Sequence, residues 1–354
     1  MTWLHEFETR HGPTVRAVER ALGRVEAIFT RAIGSDLECV RELCARVERY
    51  RGKMLRPAMT VLSGLAAAPE PDEERAERLA RLAAVVEMIH VATLVHDDVL
   101  DEANVRRQRP TIRALRGNEA AVILGDYLIS VAFHLCSSLE DQTVALRIGD
   151  VTSRVCSGEL LQLSHRQSVA LDEQTYREII ERKTASLIGV ACEQGARLAG
   201  GPVEAQRALR EFGVRLGVAF QIQDDLLDLV GDEAVVGKSV GKDLEKGKLT
   251  LPVIHHLAVA EPDRRRASLA LMRAAWTGEA LHGPAPGSVA GTATLVDARR
   301  ELRLALDETG SLEYAADAAD RSLGRAKAAL AGLPESGAVA LLHELAEATA
   351  GRQR

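Results

Sequence analysis

Two long apolar stretches, Leu79–Val95 and Leu209–Val230, constrain this chain more than any other feature. Each is apolar nearly all round a helix, which places it at the centre of a bundle rather than on its surface. Yet the first runs into Asp97-Asp98-Val99-Leu100-Asp101, and the second contains Asp224-Asp225-Leu226-Leu227-Asp228. Carboxylates in apolar surroundings are costly unless something cationic satisfies them. On a helix, positions i, i+1 and i+4 fall within about 100° of arc, so the spacing predicts three carboxylates on one face. Two such faces together would make a cage of hard oxygens suited to Mg²⁺, which completes its octahedron with water and substrate phosphate. One triplet alone is commonly a solvated face; two, each flanked by apolar residues, point to a metal–diphosphate site.

The rest of the chain agrees with a helical reading. Of its 354 residues 46% are hydrophobic and only 3% aromatic, with Ala and Leu abundant. Helical periodicity recurs nearly everywhere and strand alternation almost nowhere, predicting about a dozen helices in one all-α domain spanning residues 1–354. Pro and Gly mark joints at His11-Gly12-Pro13, Pro69-Glu70-Pro71, Gly200-Gly201-Pro202, Glu261-Pro262 and Leu333-Pro334. Gly231–Lys248 and Gly278–Gly291 read as loops, the second expected to be mobile. The formal charge of −6 argues against a nucleic-acid surface. Five scattered cysteines (Cys39, Cys44, Cys136, Cys156, Cys192) with no C-x-x-C pair read as buried thiols in a reducing compartment rather than a disulfide frame or a zinc site. No secretory h-region and no uninterrupted run of membrane-spanning length is visible, so the expectation is a cytoplasmic protein without a membrane span.

Cations accompany the carboxylates. Lys53 and Arg56 lie in Gly52-Lys53-Met54-Leu55-Arg56-Pro57, and Arg106-Arg107 follows the first triplet. Lys183-Thr184 sits in an otherwise apolar helix, where an unpaired Lys is costly. Lys238, Lys242 and Lys248 line the Gly-rich segment after the second triplet. Each cluster alone is more often solvated surface; together they supply forked Arg groups and point-charge Lys for two diphosphates. His90, two helical turns before Asp97, faces the same mouth, whereas His96 points elsewhere and reads as structural. Gln221, one turn before Asp224, can aim its amide into the same cavity. A diphosphate held this way becomes a good leaving group, and an allylic cation left behind would survive in a dry apolar cavity. A second diphosphate ester with a double bond could attack it, giving a longer chain after proton loss.

In these residues the chain resembles the trans-type (head-to-tail) polyprenyl diphosphate synthases, from about Gly52 to the C-terminal helices. The likeness rests on Glu87-Met88-Ile89-His90, both triplets, Arg106-Arg107, Gly125-Asp126-Tyr127-Leu128, Gly158-Glu159-Leu160-Leu161-Gln162 and Gly247-Lys248-Leu249-Thr250-Leu251-Pro252. It implies the isoprenoid synthase fold, a single all-α domain around a deep central cavity, normally a homodimer. It implies that Lys53, Arg56, His90 and Arg107 hold isopentenyl diphosphate, and that Arg106, Lys183, Lys238 and Lys248 hold the allylic prenyl diphosphate. Thr184 and Gln221 would flank the reacting carbon. Asp97, Asp101 and Asp224 would bind Mg²⁺ directly, and Asp98, Asp225 and Asp228 through water.

Three departures or refinements follow from the same resemblance. Arg51-Gly52-Lys53-Met54 stands where the family usually has Gly-Gly-Lys-Arg, with both contact positions, Lys53 and Arg56, intact. Gln108 replaces a usual Gly, which adds strain if that position is left-handed. Thr93 and Ala92, before the first triplet, are small where bulky residues would close the tunnel, implying geranylgeranyl or longer products. Phe133 is a candidate deeper floor or ordinary core. The rival readings are a non-catalytic subunit of a heteromeric synthase and a terpene cyclase. The completeness of both triplets and of the basic set weighs against each.

Overall fold

A computed structural model describes residues 4–47, 50, 52–230, 241–277 and 295–350. After a short 3-10 turn at Leu4–Phe7 come α1 (Glu8–Ala32), α2 (Glu38–Val47), α3 (Leu55–Ala67) and α4 (Glu73–Leu100). A two-stranded hairpin, β1 (Val105–Arg106) with β2 (Arg109–Pro110), leads into α5 (Ile112–Ser137), α6 (Gln142–Ser164) and α7 (Glu173–Ile180). A π-helical turn, Glu181–Ala185, precedes α8 (Ser186–Leu198) and α9 (Val203–Val230). The chain continues through α10 (Lys242–Glu245), α11 (Leu251–Val259), α12 (Pro262–Thr277), α13 (Leu295–Glu308), α14 (Ser311–Ala329) and α15 (Gly337–Ala350). The all-α expectation holds, and that hairpin is the whole of the β-structure among the described residues.

The chain divides into two compact units. One comprises Met1–Val155, Ala185–Gly217 and Arg325–Ala348; the other comprises Cys156–Thr184, Val218–Gly324 and Thr349–Arg354.

In the first unit α4 is the central helix. Asp72 caps it, accepting from the Arg75 N–H at 2.9 Å, and from Leu79 to Val95 nearly every residue is buried. Its Leu82, Val86, Ile89 and Val95 join Leu124 and Leu128 of α5 in one core. Each fully buried side chain of this size contributes about 1.5–3 kcal/mol. Thr111 starts α5, accepting from the Ala114 N–H at 3.1 Å. By length and composition, α4 and α5 could each cross a bilayer, which a search for uninterrupted apolar runs overlooks. The most apolar window of α4 is 72% buried inside the protein, as befits a core helix, whereas that of α5 is only 33% buried. His11-Gly12-Pro13 marks a joint inside α1, as expected: the backbone leaves helical values at His11 (φ −131°, ψ 30°), and Pro13 falls in the first turn of the helical piece that resumes there, where its missing N–H costs no bond.

In the second unit the end of α9 and helices α11 to α14 supply the core, including Leu226, Leu251, Leu257, Met272, Leu302 and Leu306. His256 is fully buried, its ring nitrogens 2.9 Å from Thr309 Oγ1 and 2.8 Å from Ser268 Oγ. Burial holds it below the usual His range. Asp172 caps α7, accepting from the Thr175 N–H at 2.7 Å.

Candidate active site

The first triplet closes α4, and its members do not share one role. Asp97 and Asp101 are partly exposed, whereas Asp98 is 1% exposed. The reason is angular: i and i+4 lie about 40° apart on a helix, but i+1 is turned about 100° away. Asp98 is therefore directed inward, where its charge needs donors. Tyr50 donates to Oδ2 at 2.8 Å and Arg106 Nε to Oδ1 at 2.9 Å. The Tyr50 hydroxyl also accepts from the Ile112 N–H at 3.1 Å, using one of the donors that a helix start leaves unpaired. Burial and the adjacent Asp98 raise the Tyr50 pKa, so the hydroxyl stays protonated and donating.

Beside this triplet the first unit assembles cations. Arg56 at the start of α3, His90 on α4, and Arg106 and Arg107 of the hairpin influence one another electrostatically. Burial, then Arg56, Arg106 and Arg107, hold His90 well below the usual His range, so it is neutral at physiological pH. Burial lowers Arg56 and Arg107 too, and Glu87, 2% exposed on α4, offsets this in both. Arg56 Nε is buried with no hydrogen-bond acceptor among the described residues. A guanidinium donor left so is costly in the free protein and suits an incoming anion. Gly52 abuts the Arg107 guanidinium so closely that a side chain there would displace it. Arg46, Tyr50, Arg106, Arg109 and Pro110 line an open crevice of about 300 Å³. Arg107 (φ +49°) and Gln108 (φ +61°) form the two-residue hairpin turn, both left-handed, so Gln108 occupies the conformation expected of the Gly it replaces.

His96 is placed as a structural residue, its Nε2 3.1 Å from the Val122 carbonyl and 3.4 Å from Asp126 Oδ1. Ala92 is fully buried, and Thr93 donates to the His90 carbonyl at 2.7 Å. Phe133 is 37% exposed on α5, so it is not ordinary core.

The second triplet repeats the division. Asp224 is exposed, Asp225 is 5% exposed and Asp228 is intermediate. Tyr176 of α7 donates to Asp225 Oδ2 at 2.6 Å, and Gln221 Nε2 donates to Oδ1 at 2.8 Å. Gln221 Oε1 in turn accepts from Thr184 Oγ1 at 2.8 Å. Thr184 thus spends its hydroxyl proton on Gln221, leaving oxygen lone pairs for any other neighbour. Burial, then the charge of Asp243, pushes Asp225 well above the usual carboxylate range. Burial likewise raises Asp228, opposed by the backbone N–H groups of Asp243 (3.0 Å) and Lys242 (3.3 Å). Asp228 therefore anchors the start of α10 and the segment leading to Lys248.

Lys183 lies in the π-helical turn, a local widening common at functional sites. It is ion-paired with Glu159 and donates to Gln162 Oε1 at 3.0 Å. Gly158 permits this, since a Cβ there would sit 2.7 Å from Arg182 Cβ and 2.8 Å from the Lys183 backbone nitrogen. The sequence pattern alone assigns no role to Glu159 or Gln162 and does not single out Tyr50 or Tyr176. Lys238, the Gly237-Lys238 pair and the Gly278–Gly291 loop lie outside the described residues. Among the described residues, no three His, Cys, Asp or Glu side chains converge on one point.

Each unit thus carries a helix-borne carboxylate triplet with its middle member buried and hydrogen-bonded, and cationic side chains in attendance. That combination belongs to helical enzymes that handle phosphate esters with hard cations. The sequence profile of the polyprenyl synthetase family matches residues 38–280. The all-trans-nonaprenyl-diphosphate synthase (geranyl-diphosphate specific) of Rhodobacter capsulatus is 34% identical over 319 residues, 90% of this chain and 91% of that protein. Heptaprenyl diphosphate synthase component 2 of Geobacillus stearothermophilus is 34% identical over 325 residues, 92% and 93% of the two chains. The crystal structure of a polyprenyl synthase from Caulobacter crescentus CB15, complexed with calcium and isoprenyl diphosphate, superposes with a TM-score of 0.83 at 33% identity, covering 96% and 97%. The chain belongs to the polyprenyl synthetase family, with the isoprenoid synthase fold and the prenyl-transferring activity of that family.

Proposed function

We propose that this protein condenses isopentenyl diphosphate with an allylic prenyl diphosphate, releasing diphosphate and giving an all-trans polyprenyl diphosphate of geranylgeranyl length or longer. One observation carries the reading: the grouping of Arg56, Arg106 and Arg107 around neutral His90, with the buried Arg56 Nε unmatched by an acceptor among the described residues. A terpene cyclase, which binds one diphosphate, has no use for this basic set in addition to Lys183 and its surroundings. Lys53, Arg56, His90 and Arg107 hold the isopentenyl diphosphate; Arg106, Lys183 and Lys248, with Lys238, hold the allylic one. Thr184 and Gln221 turn oxygen toward the allylic carbon as positive charge develops, because the Thr184 hydroxyl proton is committed to Gln221 and the Gln221 amide nitrogen is held by Asp225. The small side chains of Ala92 and Thr93 support a product longer than farnesyl.

The carboxylate set fits Mg²⁺. Asp97 with Asp101, and Asp224, offer hard oxygens from partly or fully exposed side chains. Asp98, Asp225 and Asp228, engaged by protein donors, suit contact through water. Bound there, Mg²⁺ would neutralise charge building on the departing diphosphate.

The chain works as one catalytic domain and as a homodimer. Support for the dimer comes from α5, which exposes Val122 (40%), Ile123 (67%) and Phe133 (37%), an apolar face suited to a second copy. Light scattering giving a monomer would remove that part. The cysteines are free, with Cys44, Cys136 and Cys192 buried as expected but Cys39 and Cys156 exposed, and free thiols suit a reducing cytoplasm. The word "component" in the Geobacillus relative's name favours a second reading, in which this chain needs a different partner subunit for turnover.

One incubation tests these readings together: purified protein, Mg²⁺, labelled isopentenyl diphosphate and, separately, dimethylallyl, geranyl and farnesyl diphosphates, with products read by mass spectrometry. A ladder ending at one dominant length is expected. No elongation from any primer overturns the self-sufficient enzyme and leaves the partner-dependent one.

A further inference from the structure

Both triplets bury their middle carboxylate, and in both one of the two donors that reach it is a tyrosine hydroxyl from outside the helix. Tyr50 serves Asp98 at 2.8 Å and Tyr176 serves Asp225 at 2.6 Å, across 48 and 49 residues of chain. The chain has only four tyrosines. We infer that Tyr50 and Tyr176 are positioning residues for prenyl transfer, each holding the buried middle carboxylate of one triplet so that its neighbours keep their working geometry. The inference rests on the proposed function and adds to it a distinct job for each tyrosine.

The two jobs follow from what else each carboxylate holds. Asp98 grips Arg106 through Nε, and the Tyr50 hydroxyl also takes the first N–H of α5. Tyr50 therefore fixes both ends of the hairpin that presents Arg106 and Arg107. Loss of its hydroxyl loosens the basic wall and should weaken diphosphate binding. Asp225 instead grips Gln221, which orients Thr184. With Tyr176 in place, Asp225 Oδ1 remains for the Gln221 amide, and the amide cannot turn over without placing its oxygen against a carboxylate. Without the Tyr176 hydroxyl, the Thr184–Gln221–Asp225 chain loses its outer restraint. Loss should fall on the chemical step rather than on affinity.

The test compares Tyr50→Phe and Tyr176→Phe with the parent enzyme. Far-ultraviolet circular dichroism checks folding. Steady-state kinetics give KM and kcat, and calorimetric titration of inorganic diphosphate with Ca²⁺ gives affinity without turnover. Losing a hydrogen bond to a charged group should change the affected quantity about tenfold. Tyr50→Phe is expected to raise KM and weaken diphosphate binding with kcat little changed. Tyr176→Phe is expected to lower kcat with KM and diphosphate affinity unchanged. Parental values for both variants, or the same pattern of loss in both, would overturn the inference, as would reduced thermal stability alone. If either Phe variant fails to fold, Tyr50→His and Tyr176→His, which keep an aromatic ring and an N–H donor, must fold and show the same division in weaker form. An inactive parent overturns the proposed function instead, and calorimetry still decides the Tyr50 part.

Discussion

The two triplets have the same spacing, yet they are wired to different ends. At the first, the buried carboxylate meets a permanent cation, Arg106, together with a tyrosine. At the second, the donors that reach the buried carboxylate among the described residues are neutral, Tyr176 and Gln221. An ion pair fixes a cation for use on an anion; an amide and hydroxyl relay fixes the direction of a dipole. The difference teaches that one sequence motif, set on two helices, can serve binding at one place and charge stabilisation at another. What decides is the partner brought from elsewhere in the chain. The raised pKa of Asp225 has its cause in burial and then the charge of nearby Asp243, which the hydrogen bonds from Tyr176 and Gln221 only partly offset.

The largest expected effect comes from the accessible outer carboxylates, where the triplets should behave alike. Asp97→Ala and Asp224→Ala should each lower kcat by about a hundredfold or more, the scale of removing preorganised electrostatic stabilisation. Helical circular dichroism should be unchanged. Turnover that survives either substitution breaks the parallel between the triplets and removes that carboxylate from the metal set.

A smaller effect sharpens the second unit's side of the comparison. Lys183→Met removes the partner of Glu159, whose side chain is 15% exposed, and should destabilise the fold by about 1–3 kcal/mol while raising KM for the allylic substrate. Adding Glu159→Gln removes the stranded charge. Stability by urea unfolding should then recover, whereas KM should not. Recovery of both would mean that Lys183 is structural and that the second unit has no diphosphate-binding lysine at the π turn.

Much of this was legible in the sequence because it is local. The triplets, Lys53, Arg56, His90 and the Lys183-Thr184 pair are short patterns on helices whose period is plain. Within a triplet, however, spacing alone predicts three carboxylates on a shared face, and the structure separates the middle one because burial distinguishes angles that periodicity treats as one face. The tyrosine partners were invisible for a different reason: no helical period links residues 48 or 49 apart. One signal was available, since four tyrosines in a chain this poor in aromatics invite the question of what each hydroxyl meets. The π turn was hidden too, because Glu181–Ala185 reads as ordinary helix and widens only in its packing.

Gln108 is the case in which a departure from pattern carried structural information, and it sets the smallest prediction. A non-glycine residue in the left-handed region pays roughly 1–2 kcal/mol, and returning Gly there restores part of that against the extra entropy of the unfolded chain. With Gln108 at φ +61°, Gln108→Gly should stabilise the protein by about 0.5–1 kcal/mol, read as a higher urea midpoint at unchanged slope. The same substitution relaxes the turn that carries Arg107, also left-handed at φ +49°, so KM for isopentenyl diphosphate should fall slightly while kcat holds. Among the described residues no such hairpin follows Asp228. A change in kcat rather than KM would therefore show that the hairpin of the first unit also governs the chemical step, contrary to the division of labour between the two motifs.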